Sequence, residues 1–324
     1  MALGPDELVD VLRAAGEQTR LRILALLAQG ELAVGEIAGV LGQSQPRVSR
    51  HLKLLVEARL VERRPEGAWV FFRLDPTSAA AALARTLLDT LDEGDAGFAR
   101  DRERLTAVRT TRAREAAAYF EAHAAEFETL RRLHQPEAAV EQALLAAAGP
   151  GPFEFHLDLG AGPGRILELF APLVRRGEGV DASRKMIAVA RAKLDQLADA
   201  RLSVRLADAL ALPHADGSAD LVTLHQVLHY LADPAAAIAE AARVLAPGGR
   251  LLIADFAPHD FEELRSAHQH RRLGFADEEI AKACADAGLA VDAVTRIAPE
   301  ADTPALAVTI WSASRPQTSA RRAA

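Results

Sequence analysis

The stretch FEFHLDLGAGPGR (153–165) carries the residue types most suited to chemistry. An apolar run from Phe155 to Leu159 enters Gly160, Gly162 and Gly164, and a helical pattern starts near Arg165 with Ile166, Leu167, Leu169 and Phe170 apolar. Glycines let the backbone turn tightly and approach a ligand, and the free N–H groups of the following helix face it. A dinucleotide or a nucleoside fits such a turn equally well. Two acids narrow the choice. Asp181, in GEGVDAS (177–183), falls where a second strand ends, so its carboxylate is suited to accept both hydroxyls of a ribose. Asp208, closing the strand in SVRLADALALP (203–213), is suited to accept an adenine amine, with Ala209 packing near the ring. A reaction that needs a proton removed would draw on His225, His229, His268 or His270, all in segments expected above the carboxyl ends of the strands. Histidines in such places serve as often in packing.

These groups need a scaffold that ends strands side by side. From Phe153 onward strands alternate with helices, which predicts a doubly wound α/β fold with a parallel sheet covered on both faces. ADLVTLHQVLHYL (219–231) supplies a fourth strand, RVLAPGGRLLIADF (243–256) a helix, a Pro-Gly-Gly turn and a fifth strand. VDAVTRI (291–297) and ALAVTIWSAS (305–314) close the sheet as a hairpin-like pair. Gly149-Pro150-Gly151-Pro152 breaks the chain just before this domain. Upstream, residues 77–148 read as almost unbroken helix, interrupted at Gly94-Asp95-Ala96-Gly97. The long helix expected over 98–134 offers Val108, Tyr119, Phe120, Phe127, Leu130 and Leu133 for packing; Tyr119, Phe120 or His134 are placed to close over a ligand. A charge-laced helix of this kind is also a simple solvated spacer. The polar tail beyond Pro316 reads as disordered.

The first 75 residues have a different grammar. TRLRILALL (19–27) places Leu21, Leu24 and Leu27 at helical spacing, and VGEIAGVLG (34–42) turns Ile37, Val40 and Leu41 inward before Gly42. In SQPRVSRHLKLLVEARL (44–60), Ser44 is positioned to cap a helix, Pro46 sits in its first turn, and Val48, Leu52 and Leu55 form its buried stripe. Its opposite face carries Gln45, Arg47, Ser49, Arg50 and Lys53. LVERRPEGAWVFFRL (60–74) then reads as two strands around a Pro65-Glu66-Gly67 turn. Two short helices followed by a wing make a winged helix-turn-helix, which lays its second helix in the DNA major groove. Arg47, Arg50, Lys53, Arg63 and Arg64 would neutralise phosphates, while Ser44, Gln45, Ser49 and an arginine would reach backbone or base edges.

Bulk properties constrain both halves. With 324 residues there is room for two cores, and a net charge of −7 excludes indiscriminate coating of nucleic acid but not a local basic surface. No apolar run is long enough to span a bilayer, and the N-terminus lacks the pattern of a signal peptide. One cysteine, Cys284, leaves no internal disulfide or multi-thiolate site and fits a cytoplasmic protein.

The first 75 residues resemble the ArsR/SmtB-type bacterial repressors, through TRLRIL, ELAVGEIAGVLGQSQPRVSRHLKLL and LVERRPEGAWVFFRL. The resemblance implies a homodimer that reads a palindromic operator in double-stranded DNA, with 77–92 as dimerising helix, and that changes its hold on DNA when an effector binds. The family's metal box has cysteines where this chain has Ala33 and Gly35, and residues 52–122 contain no histidine, so no metal effector is expected. The succession from 153 to 312 resembles class I S-adenosylmethionine-dependent methyltransferases. That implies S-adenosylmethionine or S-adenosylhomocysteine as ligand, with Asp158, Gly160, Gly162 and Gly164 lining the methionine moiety, Asp181 on the ribose, Asp208 and Ala209 at the adenine, and His225 and Gln226 facing the ligand. The pairing is similar to S-adenosylhomocysteine-responsive regulators. The expected layout is a reader with dimerisation helix over 1–92, a helical linker over 93–152, the ligand domain over 153–316 and a tail over 317–324. The expected function is a transcriptional repressor with an adenosyl effector; the alternative is a working small-molecule methyltransferase with an appended reader.

Overall fold

Helical spacing of leucines, isoleucines and valines builds the N-terminal half, and strands alternating with helices build the rest. The computed structural model describes residues 3–92, 94–122, 137–298 and 306–317. It divides into two compact units, Met1–Ala116 with Arg191–Ser203, and Ala117–Ala190 with Val204–Ala324.

In the first unit, α1 (Pro5–Ala15), α2 (Gln18–Leu27), α3 (Val34–Leu41), α4 (Gln45–Glu57) and α5 (Ala79–Leu88) pack with the strands β1 (Leu32–Ala33), β2 (Val61–Glu66) and β3 (Trp69–Leu74), an antiparallel sheet of order β1-β3-β2. Val48, Leu52 and Leu55 of α4 are buried, as are Ile37, Val40 and Leu41 of α3. In α2 the buried set is Ile23, Leu24, Leu26 and Leu27; Leu21, expected inward, is only partly covered, so the stripe is rotated from the predicted one. Gly42 ends α3 at φ +65°, a left-handed conformation that an L side chain rarely adopts. Ser44 occupies the N-cap of α4 without a cap hydrogen bond from its side chain; its backbone carbonyl accepts from Arg47 and Val48. The wing pairs β2 (Val61–Glu66) with β3 (Trp69–Leu74), Glu66 opposite Trp69, so the turn is Gly67-Ala68 rather than Pro65-Glu66-Gly67. Pro65 is tolerated within β2 because that strand lies at the edge of its sheet. Helix α6 (Ala96–Ala122) begins where the Asp95 carboxylate accepts the N–H groups of Gly97 and Phe98 at 2.7 and 3.1 Å. Phe127, Leu130, Leu133 and His134 of the expected long helix, and the tail from residue 318, lie outside the described residues.

The second unit is organised on a seven-stranded sheet of order β6-β5-β4-β7-β8-β10-β9. The strands are β4 (His156–Leu159), β5 (Gly177–Asp181), β6 (Leu202–Leu206), β7 (Ala219–His225), β8 (Leu245–Phe256), β9 (Ala290–Ile297) and β10 (Val308–Ser314). β4 runs parallel to β5 and β7, and β7 parallel to β8, while β10 is antiparallel to both β8 and β9. Leu157, Leu159, Val180, Val222, Leu224, Leu251 and Ile253 are buried, the near-continuous apolar composition that a sheet covered on both faces requires. Strand order reverses at β4, where β5 and β7 flank it on opposite sides. In an open α/β sheet such a switch point opens the crevice that takes a ligand. Among the described residues no helix is long and apolar enough to cross a membrane.

Candidate functional site

At the carboxyl end of β4 the chain turns through three glycines with positive φ: Gly160 at +72°, Gly162 at +50° and Gly164 at +79°. Each conformation disfavours a side chain, and each glycine meets different surroundings. A Cβ on Gly160 would lie 2.3 Å from Val227 Cγ2, so the loop is pressed against the turn that follows β7. One on Gly162 would meet nothing within 4 Å, so the loop is open there. Gly164 is the N-cap of the helix Arg165–Phe170. Sequence reasoning missed Gly179, in β5, where a Cβ would approach Ala161 Cβ to 2.6 Å.

Asp181 closes β5 and binds the loop from the other side. One of its oxygens accepts from Gly162 N at 2.9 Å, the other from Ser183 N at 2.7 Å. Partial burial nevertheless raises its pKa, the two backbone donors opposing the shift. Each oxygen keeps a second lone pair. The Asp181 carbonyl accepts from Ala207 N at 3.1 Å, which brings the end of β6 alongside. The two residues after Ala207 face differently: Ala209 is buried, whereas Asp208 is exposed and accepts from Leu210 N at 2.9 Å.

Asp158, 1% exposed, sits beneath the loop. Its Oδ1 accepts from Thr223 Oγ1 at 2.6 Å, and His156 Nε2 lies 2.8 Å from the same hydroxyl. With the hydroxyl proton committed to the carboxylate, Nε2–H must donate to Thr223. Burial pushes that imidazole down to about 3. Burial, aided by the nearby charge of Asp181, pushes Asp158 up to about 7 against the Thr223 bond. Asp158 Oδ2 has no partner among the described residues. Thr223 and His156 were not singled out from sequence; alternation along neighbouring parallel strands is what brings them to Asp158.

His225, the last residue of β7, is half-buried and burial lowers it to about 4. Gln226 follows at φ +51°, unusual for a residue with a side chain, with its N–H donated to Ala254 O. Of the four histidine candidates, His229 and His270 come together, their ring centroids 4.2 Å apart, while His268 is only partly covered. His229 Nδ1 lies 2.7 Å from Asp255 Oδ1, and Asp255 was not anticipated.

In the first unit Ser44, Gln45, Arg47, Ser49, Arg50 and Lys53 are all exposed at or along α4, and Arg63 is exposed on β2. Lys53 reaches Glu57 at 3.8 Å, a surface pair of little energetic consequence. Arg64 departs from expectation. It is 1% exposed, with Nε 3.2 Å from Glu62 and Nη1 3.8 Å from Glu31. Glu31 and Glu66 also hold Arg191 of the same unit, at 2.5 and 2.6 Å. Successive strand residues point to opposite faces, so Arg63 faces solvent while Arg64 is turned into this ionic cluster and offers no charge to a phosphate.

The family model for bacterial regulatory proteins of the arsR family matches residues 17–63, and the methyltransferase-domain model matches residues 157–253. The HTH-type transcriptional regulator Rv2034 of Mycobacterium tuberculosis is 51% identical over 77 residues, which cover 24% of this chain and 70% of that protein. An uncharacterised 37.1 kDa protein in transposon TN4556 of Streptomyces fradiae is 36% identical over 172 residues, 48% of this chain; this chain spans about half, 49%, of its length. Among solved structures, a chain from the complex of the Haloferax volcanii Trm112 methyltransferase activator with its methyltransferase is 25% identical, with a TM-score of 0.50, covering 61% of this chain and 98% of that one. The arsR-family match over residues 17–63, the regulator relative covered to 70% of its length and the methyltransferase-domain match over residues 157–253 place the chain in the ArsR family of DNA-binding regulators, with a class I methyltransferase domain fused to the helix-turn-helix.

Proposed function

We propose that the methyltransferase-like domain binds S-adenosylmethionine or S-adenosylhomocysteine as an effector and that this occupancy changes the affinity of a homodimeric reader for a palindromic operator, making the chain a ligand-responsive repressor. The observation that carries the reading is the loop held by Asp181. Three positive-φ glycines lie beside a carboxylate that keeps a free lone pair on each oxygen, in a chain whose basic α4 face is exposed. The residues fit an adenosyl group: Gly162 leaves open space, Asp181 is suited to ribose hydroxyls, and the unpartnered Asp158 Oδ2 is suited to the ammonium of a methionine moiety. Asp208, exposed and next to buried Ala209, is suited to the adenine amine, with His225 and Gln226 facing the ligand from the end of β7. Ala33 and Gly35 in place of thiolates argue for an effector other than a metal.

The test is an anisotropy titration of an operator duplex, selected by the full chain from a random library, at physiological salt. The expected result is that one adenosyl ligand shifts operator affinity by about 5- to 150-fold, a coupling of about 1 to 3 kcal/mol. No shift with either ligand rejects the effector reading. Working methyl transfer is the second reading, favoured by the buried contact between His229 and Asp255.

A pH dependence follows from Asp158. Its carboxyl is raised to about 7, so in the ligand-free fold the ionised form is disfavoured. The resulting penalty is absent below the ordinary carboxylate pKa, grows as pH rises, and is complete above about 7. A ligand ammonium beside Asp158 favours the ionised form, so ligand affinity should climb by up to about tenfold per pH unit on approaching that value from below, then level off. Calorimetry across this window should show the climb in the native chain and a flat profile in Asp158→Asn. Equal slopes in both would remove Asp158 from the ligand's charge balance.

A further inference from the structure

We propose that His229 and Asp255 form the proton-accepting pair for methyl transfer to a phenolic or enolic hydroxyl. The proposal rests on the adenosyl reading of the glycine loop and goes beyond it by naming the acceptor class. His229 is 1% exposed and Asp255 is fully buried. Asp255 Oδ1 lies 2.7 Å from His229 Nδ1 and accepts from Phe256 N at 2.8 Å; Oδ2 accepts from Leu228 N and His229 N at 3.0 and 3.4 Å. A carboxylate that already accepts three backbone N–H groups draws an imidazole proton onto Nδ1, and in the neutral ring this leaves Nε2 as a bare lone pair. That atom is buried and has no hydrogen-bond partner among the described residues. Burying an acceptor without a donor is unfavourable, and an incoming hydroxyl would supply the donor.

Position and surroundings define the acceptor further. Gly160 is pressed against Val227, two residues before His229, so the turn that leads into His229 packs on the glycine loop. The ring of His229 lies 4.2 Å from those of Tyr230 and His270 and 5.0 Å from that of Phe256. An acceptor that reached Nε2 would pack among these rings, which favours a planar one. A phenol or enol is planar at its reacting oxygen and acidic enough for an imidazole to take its proton. A tertiary amine or thioether has no proton to lose and would leave Nε2 unused. Among the described residues, Tyr230, His225, His259 and His270 are titratable groups near the pair.

In the step, the hydroxyl gives its proton to Nε2 while an oxygen lone pair forms a bond to the methyl carbon of the sulfonium donor. The methyl–sulfur bond breaks with its electron pair remaining on sulfur, which leaves a neutral thioether. The positive charge passes to the imidazolium, held against Asp255, and the proton is then released to solvent.

The test uses the full chain saturated with S-adenosylhomocysteine, which cannot transfer a methyl group, and para-nitrophenol as probe. Below the probe's own pKa, the bound probe should show a phenolate fraction about tenfold above that in buffer, a shift of about one pKa unit. His229→Asn keeps a donor toward Asp255 but removes Nε2; its phenolate fraction should return to the buffer value with S-adenosylhomocysteine affinity unchanged. Equal fractions in the two proteins, or no binding of the probe to the native chain, would overturn the proposal. Imidazole nitrogen NMR of the native chain, which needs no variant, should show His229 protonated on Nδ1 with Nε2 bare; the opposite tautomer would overturn it as well. Failure of S-adenosylhomocysteine to bind in calorimetry would instead strike the adenosyl reading itself.

Discussion

Asp181→Ala should lower affinity for S-adenosylhomocysteine by at least about 100-fold, roughly 2.7 kcal/mol, with operator binding by the ligand-free chain unchanged. Hydrogen bonds to a charged group contribute about 1.5 to 3 kcal/mol each, and this carboxylate is suited to accept two from a ribose. The variant also strips the acceptor from Gly162 N and Ser183 N. Part of the loss is therefore disorder in the loop, and Asp181→Asn separates the two effects. The amide keeps one oxygen for a backbone donor but loses the charge, so it should sit between alanine and the native chain. Calorimetry measures both. An alanine variant within about threefold of native affinity, about 0.7 kcal/mol, would mean the ribose is held elsewhere.

The loop containing Gly160, Gly162 and Gly164 was legible from sequence because its cause is local: positive φ selects glycine wherever it occurs, and an apolar strand before it with a helix after it fixes the context. The strand-ending acid Asp181 was legible for the same reason. Arg64 was not. Whether Arg63 or Arg64 of β2 faces solvent depends on hairpin register, and register was set by the Gly67-Ala68 turn rather than by the expected one a residue or two earlier. Asp255 escaped notice because its partner His229 lies 26 residues away, across the β7–β8 pairing. His156 and Thr223 lie 67 residues apart and meet only through parallel pairing of β4 with β7. Pattern reading reaches residues whose neighbours are near in sequence. Buried polar chains are built across strands, and only the register reveals them.

Register also decides what the reader's basic residues do, and the second large effect depends on it. Replacing Arg47 and Arg50 together with alanine should flatten the salt dependence of operator binding. Each phosphate contact contributes a slope of about −0.9 in log affinity against log salt, so removing two per protomer should reduce the slope by about 1.8, or about 3.6 in a dimer. Both side chains are exposed on α4, opposite the buried Val48, Leu52 and Leu55 stripe, so the fold should tolerate their loss. Arg64→Ala is the discriminating control. Its guanidinium is enclosed by Glu31 and Glu62, so the variant should leave the salt slope alone and lower the unfolding midpoint in urea by removing one member of a buried ionic cluster. The opposite pattern, an unchanged slope in the double variant and a flattened one in Arg64→Ala, would require the wing to turn over on DNA and expose the face that is buried here. Because Arg63 and Arg64 are neighbours on one strand, any rearrangement that presents Arg64, whether a one-residue slip or a turned wing, withdraws Arg63. A parallel measurement on Arg63→Ala, expected to lose close to one contact's worth of slope, therefore fixes which face of β2 meets the phosphates.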